Sequence, residues 1–222
     1  VCPEIREYER FTTTVVNSYI KPLMSRYLKK LESELKQKGF NCPLLLMTSG
    51  GTLTNVTSAC NNPVRLVESG PAGGAILATS IAEDLKLDKV ISFDMGGTTA
   101  KITIIENQKA IKAREFEVDR KARFKKGSGL PLRIPVIEMV EIGAGGGSIA
   151  RVNKLEQIIT GPDSAGSNPG PACYSNGGVN PTITDADLVI GKIDADKFAG
   201  GKINLSKEFA NNAITKNISD KL

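Results

Sequence analysis

The chain of 222 residues contains no histidine. That excludes Ser-His and Cys-His nucleophilic dyads supplied by this chain alone. It also argues against zinc, because the four cysteines, Cys2, Cys42, Cys60 and Cys173, include no Cys-x-x-Cys pair. Reduced structural thiols are the expectation. No apolar run approaches the about 20 residues that span a bilayer. The first residues lack the basic-then-apolar layout of a signal peptide, so a cytoplasmic location is expected. No Gly-x-x-x-x-Gly-Lys-Ser/Thr sequence occurs, so a Walker phosphate loop is excluded.

An excess of charge of one sign is lacking outside a single stretch. The formal net charge is +5. Between Lys109 and Lys126 lie eight basic residues (Lys109, Lys112, Arg114, Arg120, Lys121, Arg123, Lys125, Lys126) and three acidic ones (Glu115, Glu117, Asp119), which accounts for the whole excess. Only Phe116 and Phe124 are interleaved with them, and no nucleic-acid motif accompanies them. A solvated strand pair or a lip for an anionic substrate is expected in preference to a nucleic-acid surface, and no membrane contact is expected.

Glycine is plentiful, with 22 residues gathered in a few places. The central one is Val90-Ile91-Ser92-Phe93-Asp94-Met95-Gly96-Gly97-Thr98-Thr99-Ala100-Lys101-Ile102-Thr103-Ile104-Ile105. An apolar run ends at Asp94, a Gly-Gly pair breaks it, and Ile/Thr residues resume. The pattern predicts a hairpin whose tip can approach a phosphate, since no Cβ blocks the glycine backbone. Thr98 and Thr99 add hydroxyls, and Asp94 is placed to hold Mg²⁺ through water. A second glycine segment, Gly143 to Gly147 followed by Ser148, lies between two strands. So many glycines are costly in backbone entropy unless a ligand or a neighbouring loop comes close. It is not a dinucleotide fingerprint, because Ser148 stands where the third glycine belongs and a strand follows.

Other elements read more plainly. Glu7 to Lys38 form a helix, with Pro22 kinking or restarting it, Gly39 ending it, and Tyr8, Phe11, Val15, Tyr19, Leu23, Tyr27, Leu31 and Leu35 as its core stripe. A strand over Pro43–Thr48 runs into Ser49-Gly50-Gly51-Thr52. Asn62-Pro63 opens a short helix over Val64–Glu68. A helix from Ile76 to Leu85 follows Ser69-Gly70-Pro71-Ala72-Gly73-Gly74-Ala75, whose small residues permit either close packing or anion binding. Strands are expected over Gln108–Val118 and Leu130–Glu141, with a hairpin over Arg151–Thr160. Thr184 is expected to cap the next helix and Ser206 the last.

The Asp94–Thr99 turn resembles the second phosphate loop of the actin-like ATPases. The ordered set is more specific: Val64–Gly74, Asp94–Thr99, Ile142–Ala150, Gly161–Gly166 with Asn168–Tyr174, and Pro181–Val189. Together they resemble the hydantoinase A family, which includes ATP-dependent N-methylhydantoinases, 5-oxoprolinases and nucleotide-binding subunits of acetone and acetophenone carboxylases. The resemblance covers nearly the whole chain. It implies an α/β fold of the actin-like (ribonuclease H-like) kind, with a mixed sheet and flanking helices. Residues 1–222 would be one partial domain, lacking the family's earlier Asp-x-Gly-Gly-Thr loop and its later adenosine motif.

The resemblance further implies ATP-dependent hydrolysis of cyclic amides (hydantoin or 5-oxoproline-like lactams) through phosphoryl activation of the substrate oxygen. The alternatives are a nucleotide-binding subunit of an ATP-dependent ketone carboxylase, or a non-catalytic assembly module. ATP and Mg²⁺ are the implied cofactors, and a hydantoinase B-type subunit is the implied partner. Gly96, Gly97, Thr98 and Thr99 would cradle phosphate oxygens. Asp94 would hold Mg²⁺ or orient the attacking group, and Lys101 would offset phosphate charge. Gly145, Gly146, Gly147 and Ser148, with Asp163 and Ser164, would border the nucleotide or substrate. Glu141 and Asp185 stand as ligand-side carboxylates or structural ones. Many members continue the turn with Thr-Asp where this chain has Ala100-Lys101, which argues against a typical 5-oxoprolinase.

Overall fold

A computed structural model describes residues 1–121 and 127–222. Arg123, Phe124, Lys125 and Lys126 of the basic stretch lie outside the described residues. The fold is α/β and the chain forms two compact units: residues 1–92 with 103–139, and residues 93–102 with 140–222.

The first unit opens with α1 (Glu7–Gln37), which runs through Pro22 as one helix. Most of its expected core stripe faces outward: Tyr8, Phe11, Val15, Tyr19, Leu23 and Tyr27 are all more than half exposed, whereas Leu31 and Leu35 are half-buried. The buried face is instead Thr13, Asn17 and Leu28. The physical reason is that polar side chains on this face complete neighbouring backbone. Asn17 Oδ1 accepts from the Val64 amide, and its Nδ2 donates to the Asn61 carbonyl. Thr13 Oγ1 accepts from the Arg133 amide at 2.8 Å. A buried amide left without such a partner costs about 1–3 kcal/mol, which outweighs the burial of one more apolar ring edge.

The strands β1 (Leu45–Met47) and β2 (Leu53–Asn55) pair antiparallel. A short helix not expected from the sequence follows, α2 (Val56–Asn61), capped by the Asn55 side chain on the Ser58 amide. Asn62-Pro63 then opens only a 3-10 turn, Pro63–Leu66. Helix α3 (Ser69–Asp84) begins earlier than expected and absorbs the glycine-rich stretch. Pro71 sits in its first turn, where the missing N–H has no intrahelical acceptor. Ala72 and Ala75 are fully buried against Ile137. Close packing accounts for Ala72 and Ala75, whereas a Cβ on Gly70 would meet nothing within 4 Å.

The central hairpin is β3 (Lys89–Met95) and β4 (Ala100–Glu106), whose strands pass from one unit into the other. The expected longer strands are broken into β5 (Lys109–Ala110), β6 (Lys112–Ala113), β7 (Phe116–Val118), β8 (Leu130–Leu132) and β9 (Val136–Ile137). Two core clusters of the first unit are Val64, Leu132, Ile134 and Val136, and Leu28, Val56, Ala59 and Cys60.

In the second unit, β10 (Val140–Ile142) pairs antiparallel with β4, placing Glu141 opposite Lys101. Strands β11 (Ser148–Val152) and β12 (Ile158–Ser164) form the expected hairpin, which extends beyond Thr160 to Ser164. Helices α4 (Ile183–Val189) and α5 (Lys207–Asn217) pack around Cys173, Leu188, Leu205 and Ala210. Ser206 caps α5 as expected, on the Phe209 amide. Among the described residues, no helix is long and apolar enough to cross a membrane.

Candidate functional site

The candidate site lies wholly within the second unit. Its floor is the turn between β3 and β4. The Gly96 amide donates to the Thr99 carbonyl at 2.9 Å and closes the hairpin. Asp94, Gly96, Gly97 and Thr98 are exposed and Thr99 is half-buried. A Cβ built on Gly97 meets nothing within 4 Å, so the turn presents open space at its tip. Among the described residues, the Gly97 and Thr98 amides and the Thr98 and Thr99 hydroxyls make no hydrogen bond. An uncommitted backbone donor set beside open space is a suitable receptor for phosphate oxygens.

Gly145, Gly146 and Gly147 pack on this turn, backbone against backbone. The Gly146 amide donates to the Gly96 carbonyl at 2.9 Å, and the Gly147 amide to the Gly97 carbonyl at 2.8 Å. A Cβ on Gly145 would lie 2.6 Å from the Gly96 oxygen and 2.6 Å from the Thr98 nitrogen. The glycines therefore permit the close approach of a neighbouring loop. Ser148 is buried, and its hydroxyl accepts from the Gly145 amide at 2.9 Å, closing the glycine loop on itself. The amides of Gly145, Gly146 and Gly147 are thus all committed within the protein.

Two threonines and an aspartate behind the glycine loop matter more than their sequence context suggests. Thr182, not Thr184, caps α4, in a capping box with Asp185. The Thr-x-x-Asp spacing of 182 and 185 is the signal in sequence for this cap. Thr184 instead binds the glycine loop. Its amide and its hydroxyl both donate to the Gly146 carbonyl, at 2.9 and 2.8 Å. Asp185 is completely buried. Its carboxylate accepts from the amides of Ala172, Cys173 and Thr182 and from the Thr182 hydroxyl. Its role in the fold is therefore structural. Burial, with the Asp185 carboxylate alongside, pushes the Cys173 thiol well above the usual range, so Cys173 is an inert thiol. Tyr174 is raised for the same reason, burial first.

The remaining candidates fall at the margin. Lys101 is half-buried on β4, and Glu141 is exposed on β10. Asp163 is exposed and pairs with Arg151 at 2.8 Å. Ser164 Oγ accepts from the Gly166 amide. Among the described residues, no three Asp, Glu, Cys or His side chains gather as a cation cage. A single carboxylate such as Asp94 nonetheless suits Mg²⁺, which keeps several waters and is commonly held through one or two carboxylates together with substrate phosphates.

The hydantoinase/oxoprolinase family model matches residues 10–222. The chain belongs to that family. It is 46% identical over 217 residues to an uncharacterized protein of Methanocaldococcus jannaschii, covering 96% of this chain and 32% of that one. It is 36% identical to the caprolactamase subunit alpha of Pseudomonas jessenii, covering 100% of this chain and 31% of the relative. The nucleotide-free structure of an acetone carboxylase superposes with a TM-score of 0.74 at 27% identity, covering 98% of this chain and 29% of the other. The chain thus spans about a third of the length of these two curated relatives. The expected α/β lobe, incomplete beside its full-length neighbours, is what these matches support.

Proposed function

We propose that this hydantoinase/oxoprolinase segment grips the phosphates of Mg²⁺-ATP in an ATP-dependent enzyme that opens cyclic amides. The observation that carries the reading is the Gly96–Thr99 turn: open at Gly97, lined by uncommitted donors, and backed by a glycine loop hydrogen-bonded to it. The amides of Gly97 and Thr98 and the hydroxyls of Thr98 and Thr99 hold phosphate oxygens. Asp94 holds Mg²⁺ through water, and Lys101 balances phosphate charge from the returning strand. When bound, ATP would supply a γ-phosphoryl group to the amide oxygen with release of ADP, making the carbonyl carbon open to attack by water. The C–N bond would then break, the ring nitrogen taking up a proton, and hydrolysis of the resulting acyl phosphate would release inorganic phosphate. The chain's own contribution is positioning and charge neutralisation, which is the main need in phosphoryl transfer.

A cyclic amide is favoured over a ketone by similarity. The caprolactamase subunit is 36% identical, against 30% for the acetophenone and acetone carboxylase subunits. The names of several relatives describe subunits, so a partner subunit of the hydantoinase B type is part of the proposal. Calorimetry with Mg²⁺-ATP tests the reading, comparing wild type with Asp94→Ala and Gly97→Val. Binding by wild type that both variants weaken at least about ten-fold, a loss of about 1.4 kcal/mol, supports it. Equal binding by all three would move the phosphates elsewhere. ATP turnover stimulated by lactams and not by ketones would then favour amide opening; the reverse would favour the carboxylase reading.

A further inference from the structure

We infer that Thr184 is a positioning residue for the phosphate turn, held in place by the buried Asp185; this rests on the ATP reading above only for its functional consequence. The path is short and continuous. Asp185 fixes the start of α4 by accepting from the Thr182 amide and hydroxyl, each at 2.8 Å. The same carboxylate fixes the 171–173 segment through the Cys173 amide at 2.7 Å. With α4 anchored from both sides, Thr184 is presented to the glycine loop. It is buried, and both of its donors converge on the carbonyl of Gly146. The amide of Gly146 in turn holds the Gly96 carbonyl, and the next amide holds Gly97.

Gly146 is the crossing point. A glycine has the widest backbone freedom of any residue, so a run of them holds no fixed position unless its polar groups are tied. Here the carbonyl is tied twice by one residue, which fixes the plane of the peptide as well as its distance. The strand entering behind the loop is tied to the same element, because the Ala150 amide donates to the Pro181 carbonyl and Ile149 bridges to Thr182. On the far side, the Ala165 amide donates to the Gly147 carbonyl. The Thr184 hydroxyl has no other partner among the described residues, and a threonine is not needed for capping, since Thr182 serves there. The glycine loop that backs the turn is thus tied by a side chain whose hydroxyl bonds the loop and not the turn.

The test compares Thr184→Val, which has nearly the same shape without the donor, with Thr184→Ser, which keeps the donor. The first readout is amide hydrogen exchange in the protein without nucleotide, followed by NMR at Gly96, Gly146 and Gly147, with α5 amides as an internal control. Thr184→Val is expected to speed exchange at Gly146 and Gly147 by about five-fold, the worth of one net hydrogen bond, and to leave α5 unchanged. Thr184→Ser is expected to match wild type. The second readout is Mg²⁺-ATP affinity, weakened about five-fold in Thr184→Val and restored in Thr184→Ser. Unchanged exchange at all three glycines in Thr184→Val would overturn the inference. So would equal acceleration in α5, which would show general loosening, or equal defects in the Val and Ser variants. A wild-type protein that binds no nucleotide would sink the ATP reading, and the exchange result would still decide the positioning role.

Discussion

Gly145→Ala is the sharpest probe of how the site is built. The added Cβ would stand 2.6 Å from both the Gly96 oxygen and the Thr98 nitrogen, and 2.7 Å from the Gly97 carbonyl carbon. All three are backbone atoms, so no side chain can rotate away. Ordinary contact begins near 3.4 Å, so the turn and the glycine loop must part by about 0.8 Å. The bonds from Gly146 to Gly96 and from Gly147 to Gly97, now 2.9 and 2.8 Å, would stretch beyond hydrogen-bonding range. Each is worth about 0.5–1.5 kcal/mol net, and replacing a glycine returns about 0.4–1 kcal/mol through the unfolded chain. A net loss of about 1–2 kcal/mol follows, in line with other overpacked sites. Urea denaturation followed by far-ultraviolet circular dichroism measures it. Gly97→Ala is the matched control: its Cβ meets nothing, so stability should hold within about 0.5 kcal/mol while Mg²⁺-ATP affinity falls. A Gly145→Ala protein as stable as wild type would refute the close-approach argument for the whole glycine run.

Further outcomes follow from burial and ionisation. Tyr19→Ser on α1 should change stability by no more than about 0.5 kcal/mol, because the ring is 85% exposed, whereas Leu28→Ala should cost about 2–5 kcal/mol; paired urea melts decide it. In the native protein iodoacetamide should label Cys42, which is exposed, and leave Cys2, Cys60 and Cys173 untouched until denaturant is added; mass spectrometry of the labelled peptides reads this out. The Cys173 thiol is raised on folding by burial, above an unfolded value near 9.0. The folded state therefore keeps a proton that the unfolded state loses, so this contribution is complete below about pH 9 and declines as pH rises further. Between about pH 8 and 10.5, wild type should lose stability more steeply than Cys173→Ala; parallel curves would rule the linkage out.

The parts of the fold that are legible in the sequence are those fixed by local chemistry. The β3–β4 hairpin follows from an apolar run broken by Asp94 and two glycines, and the Ser206 cap follows from hydroxyl geometry alone. The α1 face is not legible, because two stripes of the right period share that helix. The more apolar one is exposed, and the buried one contains Thr13 and Asn17, whose value lies in backbone groups far away in sequence. The early start of α3 is hidden by Pro71 and three glycines, which local propensity disfavours in a helix and which tertiary packing against Ile137 overrides. At the site, the turn itself is legible, and so is the demand of the glycine run for a close neighbour. The identity of that neighbour is not, because it is another stretch of backbone distant along the chain, and no side-chain pattern advertises a carbonyl.

This arrangement has a consequence for how such a site tolerates change. Two of the donors proposed to meet phosphate are the backbone amides of Gly97 and Thr98, which no substitution short of proline removes directly. Other substitutions reach those amides only by moving the turn, and the turn is held by Gly146, Gly147 and the residues that tie them. The sensitive positions are therefore of two kinds: glycines where a Cβ collides, as at Gly145, and polar side chains that hold a glycine carbonyl, as at Thr184. Exposed residues at the tip should divide differently. Thr98→Ala removes one hydroxyl from the proposed donor set and leaves the turn's amides in place, so it should weaken Mg²⁺-ATP by about 0.5–1.5 kcal/mol without altering the urea midpoint. If Thr98→Ala shifted the midpoint as far as Gly145→Ala does, the separation between holding the turn and holding the ligand would fail.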